Sequence, residues 1–263
     1  MKRILVPIDF STAAENALQY AIELNKPIGA EIVCLHVTTD VSQEKEAKAK
    51  LAKLIEESAA AVPPQLAVKG VVMTGIPDGA IIHYLDMEHI DLIVMGTKGT
   101  TGFQKFILGS HTTDILASTE LPVLIVPQGF VFRHIHYVLL ASDFQTPHDT
   151  NSLSPMIAIA QAFGAEVRIA HVKRNDDHGN VLKHLELSRE GHLLSAEGVK
   201  YSLKKIHWTD ITGGIKYYLE LKGDNDMLVM TRRKHGFMDR IFRRDHPYEF
   251  ACEPTLPLLI VHE

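Results

Sequence analysis

The chain repeats itself once, and that duplication limits its fold more than any other feature. Val6-Pro7-Ile8-Asp9-Phe10 returns as Leu140-Ala141-Ser142-Asp143-Phe144, 134 positions later. Leu35-His36-Val37 returns as Ala170-His171-Val172, Asp91–Met95 as Asp226–Met230, and Leu121–Val126 as Leu256–Val261, each 135 positions later. A period this long marks a duplicated domain, because solenoid units run to only ~20–50 residues. The boundary falls between Gln128 and Arg133, giving expected domains at residues 1–128 and 134–263. The linker is short, so the halves are expected to pack together.

Each half reads strand–helix–strand–helix–strand–helix–strand–helix–strand. Lys2–Ile8 is a short apolar run suited to a strand buried on both faces. Thr12-Ala13-Ala14-Glu15 has the capping-box pattern, and Ala14, Ala17, Leu18, Ala21 and Ile22 then share a helical face. Glu31–Val37 predicts the second strand. The charged stretch from about Asp40 to Ala61 predicts an outer helix, with an apolar stripe at Ala47, Leu51, Leu54 and Ile55. Gln65–Met73 alternates like a strand, Pro77 can open a helix, and Leu92–Met95 and Val123–Val126 supply the last two strands. Strands alternating with helices imply an α/β fold with a parallel sheet covered on both faces. Ligands of such sheets bind beyond the carboxyl ends of the strands, where strand order reverses.

Composition removes several function classes. The net charge of −5 gives no support to a general nucleic-acid binder. No apolar run approaches the ~20 residues of a membrane span, and Asp9 ends the first apolar run too early for a signal peptide. Cys34 and Cys252 are too few for a disulfide framework or a zinc cluster, and read as small buried hydrophobes in a reducing compartment. The 15 histidines form no metal-binding spacing. His36 and His171, at matching strand ends, read as packed or hydrogen-bonded rather than ligating. The expected location is the cytoplasm.

The loop after the fourth strand carries the chemistry. Gly96-Thr97-Lys98-Gly99-Thr100-Thr101-Gly102 follows that strand, and Gly109-Ser110-His111-Thr112 then opens a helix. Glycines let a backbone approach an anion, and a helix start offers free N–H groups and the favourable end of a dipole. The Walker and Rossmann glycine patterns are both absent. The bland alternatives are that the glycines are turn residues and that Asp9 merely caps the following helix.

The spacing Gly-x2-Gly-x9-Gly-Ser resembles the nucleotide signature of ATP-binding universal stress proteins. The opening Val-Pro-Ile-Asp-Phe-Ser and the closing Leu-Pro-Val-Leu-Ile-Val-Pro resemble that family too. The resemblance implies two tandem doubly wound five-stranded parallel sheets of adenine nucleotide α-hydrolase type. It further implies that they pair about a pseudo-twofold axis through Val123–Val126 and Leu258–Val261, an intramolecular pseudo-dimer that could dimerise further. Carried over by position, it puts Pro7 and Asp9 at the adenosine end and the Val37 backbone at the adenine. Met95 and Gly96 flank the ribose and α-phosphate, and Gly99, Gly109, Ser110, His111 and Thr112 hold the phosphates. The implied ligand is ATP, with ADP or AMP as alternatives. Mg2+ can ride on the phosphates, though no protein ligand for it stands out.

The second half departs from this pattern. At a shift of 135, Gly75 becomes Asp210, Gly96 becomes Thr231, Gly99 becomes Lys234, Gly109 becomes Arg244 and Ser110 becomes Asp245, while Asp143 survives. A side chain then fills the space a phosphate needs, and a carboxylate repels it, so the second half is expected to bind no ATP in that way. Its loop is basic instead, with Arg232, Arg233, Lys234, Arg240, Arg243 and Arg244; it is either a solvated surface or a site for an anion or acidic partner. No catalytic residue stands out, since phosphoryl-transfer enzymes position water and metal. The expected role is a stress-response or regulatory nucleotide binder with at most weak ATPase activity and a protein partner of unknown identity. The alternatives are an interaction module with a vestigial site and an enzyme acting at the α-phosphate of ATP. A response-regulator receiver is disfavoured because Asp9 has no acidic neighbour.

Overall fold

The computed structural model describes residues 1–59, 66–97, 114–116, 118–141, 150–173, 189–232 and 256–262. They form two compact units, the first closing at Phe132 and the second opening at Arg133.

In the first unit the apolar runs become parallel strands: β1 (Arg3–Pro7), β2 (Glu31–Thr38), β3 (Val68–Thr74), β4 (Leu92–Thr97) and β5 (Val123–Pro127). Pairing gives the order β3-β2-β1-β4-β5, with Leu5 opposite both Val33 and Ile93, and Val94 opposite Leu124. The order reverses between β1 and β4, so the crevice expected of a doubly wound sheet opens there. Leu5, Ile32, Leu92, Ile93, Val94 and Leu124 are fully buried, each side chain contributing roughly 1.5–3 kcal/mol by leaving water.

Helices α1 (Thr12–Asn25), α2 (Glu44–Ala59) and α3 (Pro77–Met87) pack on this sheet. Helix α1 packs on β1, β4 and β5 and buries Ala14, Ala17, Leu18, Ala21 and Ile22. Small residues on its buried face let it lie close to the strands. Helix α2 packs on β2 and β3, burying Ala47 and Leu51 beneath an otherwise largely charged surface. It begins after a single 3-10 turn, Val41–Gln43.

The second unit repeats the plan with β6 (Tyr137–Ala141), β7 (Glu166–Lys173), β8 (Tyr201–His207), β9 (Met227–Arg232) and β10 (Leu258–His262). Its parallel order is β10-β9-β6-β7-β8. Its helices among the described residues are α4 (Thr150–Phe163), α5 (Arg189–Ala196) and α6 (Ile211–Lys222). A shared device shows the duplication at atomic detail. Asp91 Oδ2 accepts from the Lys2 and Arg3 N–H groups at 2.6 and 2.9 Å. Asp226 Oδ2 accepts from the His136 and Tyr137 N–H groups at 2.7 and 3.0 Å.

The repeat register is not uniform. Strands β7, β9 and β10 lie 135 positions after their counterparts, but β8 lies 133 after β3. Asp210 therefore caps α6, accepting from Gly213 N–H at 2.7 Å, where Ile76 precedes α3 with no side-chain cap. By structure Asp210 corresponds to Ile76, not to the Gly75 that a uniform shift of 135 predicts.

At that end of β8 the Trp208 ring stacks on Tyr217 of α6, with centroids 4.7 Å apart and planes inclined by 21°. Gly213 makes this possible, since a Cβ there would lie 2.4 Å from the indole Nε1.

Candidate functional site

The carboxyl end of β1 sets the first wall of the site. The Ile8 N–H donates to the Leu35 carbonyl at 2.8 Å, extending the strand pairing one residue past Pro7. Asp9 then leaves the sheet and is exposed. Its Oδ1 accepts from the Ser11 N–H at 2.9 Å and the Ser11 hydroxyl at 2.5 Å. Ser11 in turn caps α1, its Oγ accepting from Ala14 N–H at 3.3 Å. The cap is thus Ser11, one residue before the Thr12 that the capping-box pattern favours. Thr12 faces the end of β5 instead, its hydroxyl accepting from Gln128 Nε2 at 3.2 Å. Asp9 orders the turn into the helix while Ser11 caps it.

Between them, Phe10 has φ of 59°, a left-handed backbone that an aromatic residue rarely adopts. Its ring lies 4.5 Å from the His36 ring and carries the Lys50 ammonium 4.2 Å from its centroid. His36 Nδ1 sits 2.7 Å from the Ile8 carbonyl. A carbonyl only accepts, so this nitrogen bears the proton and donates. His36 is the hydrogen-bonded strand-end histidine that its sequence position implies.

The second wall comes from β2. Val37 is half-buried and Thr38 buried. The Thr38 hydroxyl donates to the Asp40 carbonyl at 3.1 Å and accepts from the Asp40 N–H at 3.3 Å. Asp40 caps the 3-10 turn through Ser42, whose hydrogen bonds hold the Asp40 carboxyl below its ordinary range.

The third wall is the end of β4. Met95 and Thr97 are buried and Gly96 half-buried. Gly96 meets α1: a Cβ there would lie 2.1 Å from the Ala13 carbonyl oxygen. This glycine is therefore required by helix packing, whatever it does for a ligand. Thr97 Oγ1 is sealed from solvent without a hydrogen-bond partner among the described residues. Buried hydroxyls are almost always bonded to protein or ordered water, so its partner lies outside the described residues.

Pro7, Asp9, Val37, Met95 and Gly96 therefore lie at the carboxyl ends of three adjacent strands flanking the reversal of strand order. Gly99, Gly109, Ser110, His111 and Thr112 lie outside the described residues, as do Asp143 and the basic loop from Arg233 to Arg244 with Asp245. In the second unit, half-buried Thr231 stands in β9 where Gly96 stands in β4. Among the described residues no group of three His, Cys, Asp or Glu side chains is arranged to hold a metal ion, and no helix is long and apolar enough to cross a membrane. Sequence reasoning missed the Phe10–His36–Lys50 cluster, because an aromatic residue gives no local sign of a left-handed backbone.

The sequence profile of the Universal stress protein family matches residues 1–127. A universal stress protein of Synechocystis is 31% identical over 134 residues, covering 48% of this chain and 85% of the relative. One from Methanocaldococcus jannaschii is 28% identical over 145 residues, covering 48% of this chain and 81% of the relative. The crystal structure of a universal stress protein from Archaeoglobus fulgidus superposes with a TM-score of 0.74 at 21% identity, covering 98% of this chain and 97% of that one. That last likeness is one of fold and extends through both halves, and on the likeness to the Synechocystis relative the chain belongs to the universal stress protein family.

Proposed function

We propose that the protein is a cytoplasmic stress-response or regulatory protein built from two family domains, residues 1–128 and 134–263, that binds one adenine nucleotide in the first. The observation that carries this reading is positional. The Gly96-x2-Gly99-x9-Gly109-Ser110 signature leaves the sheet at β4, beside β1, where strand order reverses. The residues around it suit such a ligand. Asp9 keeps one carboxylate oxygen beyond its bonds to Ser11, able to accept from a base amino group or a ribose hydroxyl. The β2 backbone at Val37 faces the same end, Met95 supplies apolar surface, and Gly96 and Thr97 lead into the glycine loop.

In this reading Gly99, Gly109, Ser110, His111 and Thr112 hold the phosphates, which bring Mg2+ with them if it binds. ADP or AMP would use the same base and ribose contacts. The reading is one of binding with slow or no hydrolysis, since phosphoryl transfer needs a positioned water and metal. The second half keeps Asp143 but carries Thr231, Lys234, Arg244 and Asp245 at the signature positions, which supports a single site per chain.

The test is to denature freshly purified protein and identify released nucleotide by mass spectrometry, with calorimetric titration of ATP and Mg2+ beside it. One adenine nucleotide per chain is expected, with binding abolished in a folded Gly109→Arg variant. Normal binding by that variant would remove the phosphate-cradle assignment. No binding by the parent chain would leave an interaction module.

A further inference from the structure

We infer that Phe10 is a positioning residue of the nucleotide site, clamped by His36 and Lys50 so that its left-handed backbone aims the free oxygen of Asp9 at the nucleoside. The inference rests on the nucleotide reading above and adds a role to a residue outside the glycine signature.

A left-handed φ of 59° is unfavourable for a residue with a Cβ and persists only where surrounding contacts over-determine it. Three contacts do so here. The Phe10 ring packs on the His36 ring at 4.5 Å. Lys50 reaches over from α2 to place its ammonium 4.2 Å from the ring centroid. His36 is itself fixed by donating from Nδ1 to the Ile8 carbonyl at 2.7 Å, so the clamp closes on the same turn that it holds. This segment runs from Ile8 to Ser11 and contains Asp9. One Asp9 oxygen is committed to Ser11, both N–H and hydroxyl. The direction of the other is then set by the backbone at Asp9 and Phe10. Glycine would satisfy the local backbone better than phenylalanine does. The ring is therefore present for the clamp, and the clamp fixes Asp9.

Calorimetry with ATP and with inorganic tripolyphosphate separates this role from a general one, because tripolyphosphate has no nucleoside. Phe10→Gly relieves the backbone and removes the clamp. It is expected to weaken ATP about tenfold, the worth of one well-aimed charge-assisted hydrogen bond, while tripolyphosphate affinity stays within about twofold. Lys50→Ala should weaken ATP by about two- to fivefold, in line with an exposed cation–π contact. Phe10→Tyr keeps the ring and should bind as the parent does. In an Asp9→Asn background, where the free oxygen can be replaced by a donor, Phe10→Gly should change ATP affinity by less than about twofold, since the effect runs through Asp9.

An undiminished loss in the Asp9→Asn background would overturn the inference. So would an equal loss for tripolyphosphate, which would make the cluster a phosphate site or a general support. Circular dichroism establishes that each variant is folded, and Phe10→Leu serves as a second clamp-breaking variant if Phe10→Gly is not. If the parent chain binds tripolyphosphate and ATP equally, the phosphate cradle stands and this inference falls. If it binds neither, the nucleotide reading falls first and takes this inference with it.

Discussion

Arg168 shows how one residue can hold the amino-terminal end of a sheet together. It is buried in β7, donates to both oxygens of Asp224 at 2.6 and 2.9 Å and lies 3.5 Å from the Tyr137 ring centroid. In the first unit the corresponding end is held by Arg3, which bonds Glu31 and Glu88, both at 2.6 Å. Tyr137 stands in β6 where Arg3 stands in β1, so duplication kept the charge at this end but moved it to the neighbouring strand. The Arg168 hydrogen bonds hold the Asp224 carboxyl below its ordinary range. The stability they supply is complete above the unfolded carboxylate value of about 3.9 and is lost as pH falls through the lower folded value. Asp224→Asn is expected to cost about 1–2 kcal/mol at pH 7, the low end for a charge-assisted pair because Asp224 is half exposed. Urea titrations should show this difference shrinking towards pH 3. A difference independent of pH would mean that the carboxylate charge is not what holds Arg168. Cys34 contrasts with this group: burial alone pushes its thiol up to about 12, leaving it a packing residue.

At the scale of elements, the approach of α1 to β4 fixes the geometry of the site end. Gly96→Ala places a Cβ 2.1 Å from the Ala13 carbonyl, which is backbone and cannot turn aside. Helix α1 must shift, and a cost of about 1–3 kcal/mol is expected, read as a lower urea midpoint at unchanged m-value. Unchanged stability would mean that α1 is free to slide. Strands β1, β2, β4 and β5 were legible in the sequence to within a residue or two, because strands buried on both faces write continuous apolar runs. The edge strand β3 was less legible. Residues 66 and 67 precede it, and its counterpart β8 is displaced by two positions in the repeat, because an edge strand has pairing on one side only to fix its register. The rule that such sheets bind ligands at their carboxyl ends pointed to the ends of the first and fourth strands, while Pro7, Asp9, Val37 and Met95 were named by the family resemblance. The packing duty of Gly96 was not legible, since nothing local distinguishes a glycine that admits a helix from one that admits a phosphate. Ser11 was overlooked as the cap because two overlapping patterns, one residue apart, fit the same stretch.

At the scale of the whole molecule, each unit has its own fully buried strands: Leu5, Ile93 and Leu124 in the first, Leu139, Val229 and Leu259 in the second. A chain with two such cores can be divided between them. Fragments 1–132 and 133–263 are each expected to fold when expressed separately, as judged by cooperative thermal unfolding. The first should bind one adenine nucleotide and the second none. Nucleotide bound by the second fragment would overturn the single-site reading.

The stacked Trp208 and Tyr217 give the molecule an optical asymmetry. Trp208 is the chain's one tryptophan and belongs to the second unit. Emission excited at the red edge of protein absorption therefore comes from that half alone, while Tyr20 and Tyr84 of the first half stay dark. With nucleotide bound in the first unit, as proposed, a change in that emission on adding it to the intact chain would be a signal sent from one duplicate to the other, read without attaching a dye to either.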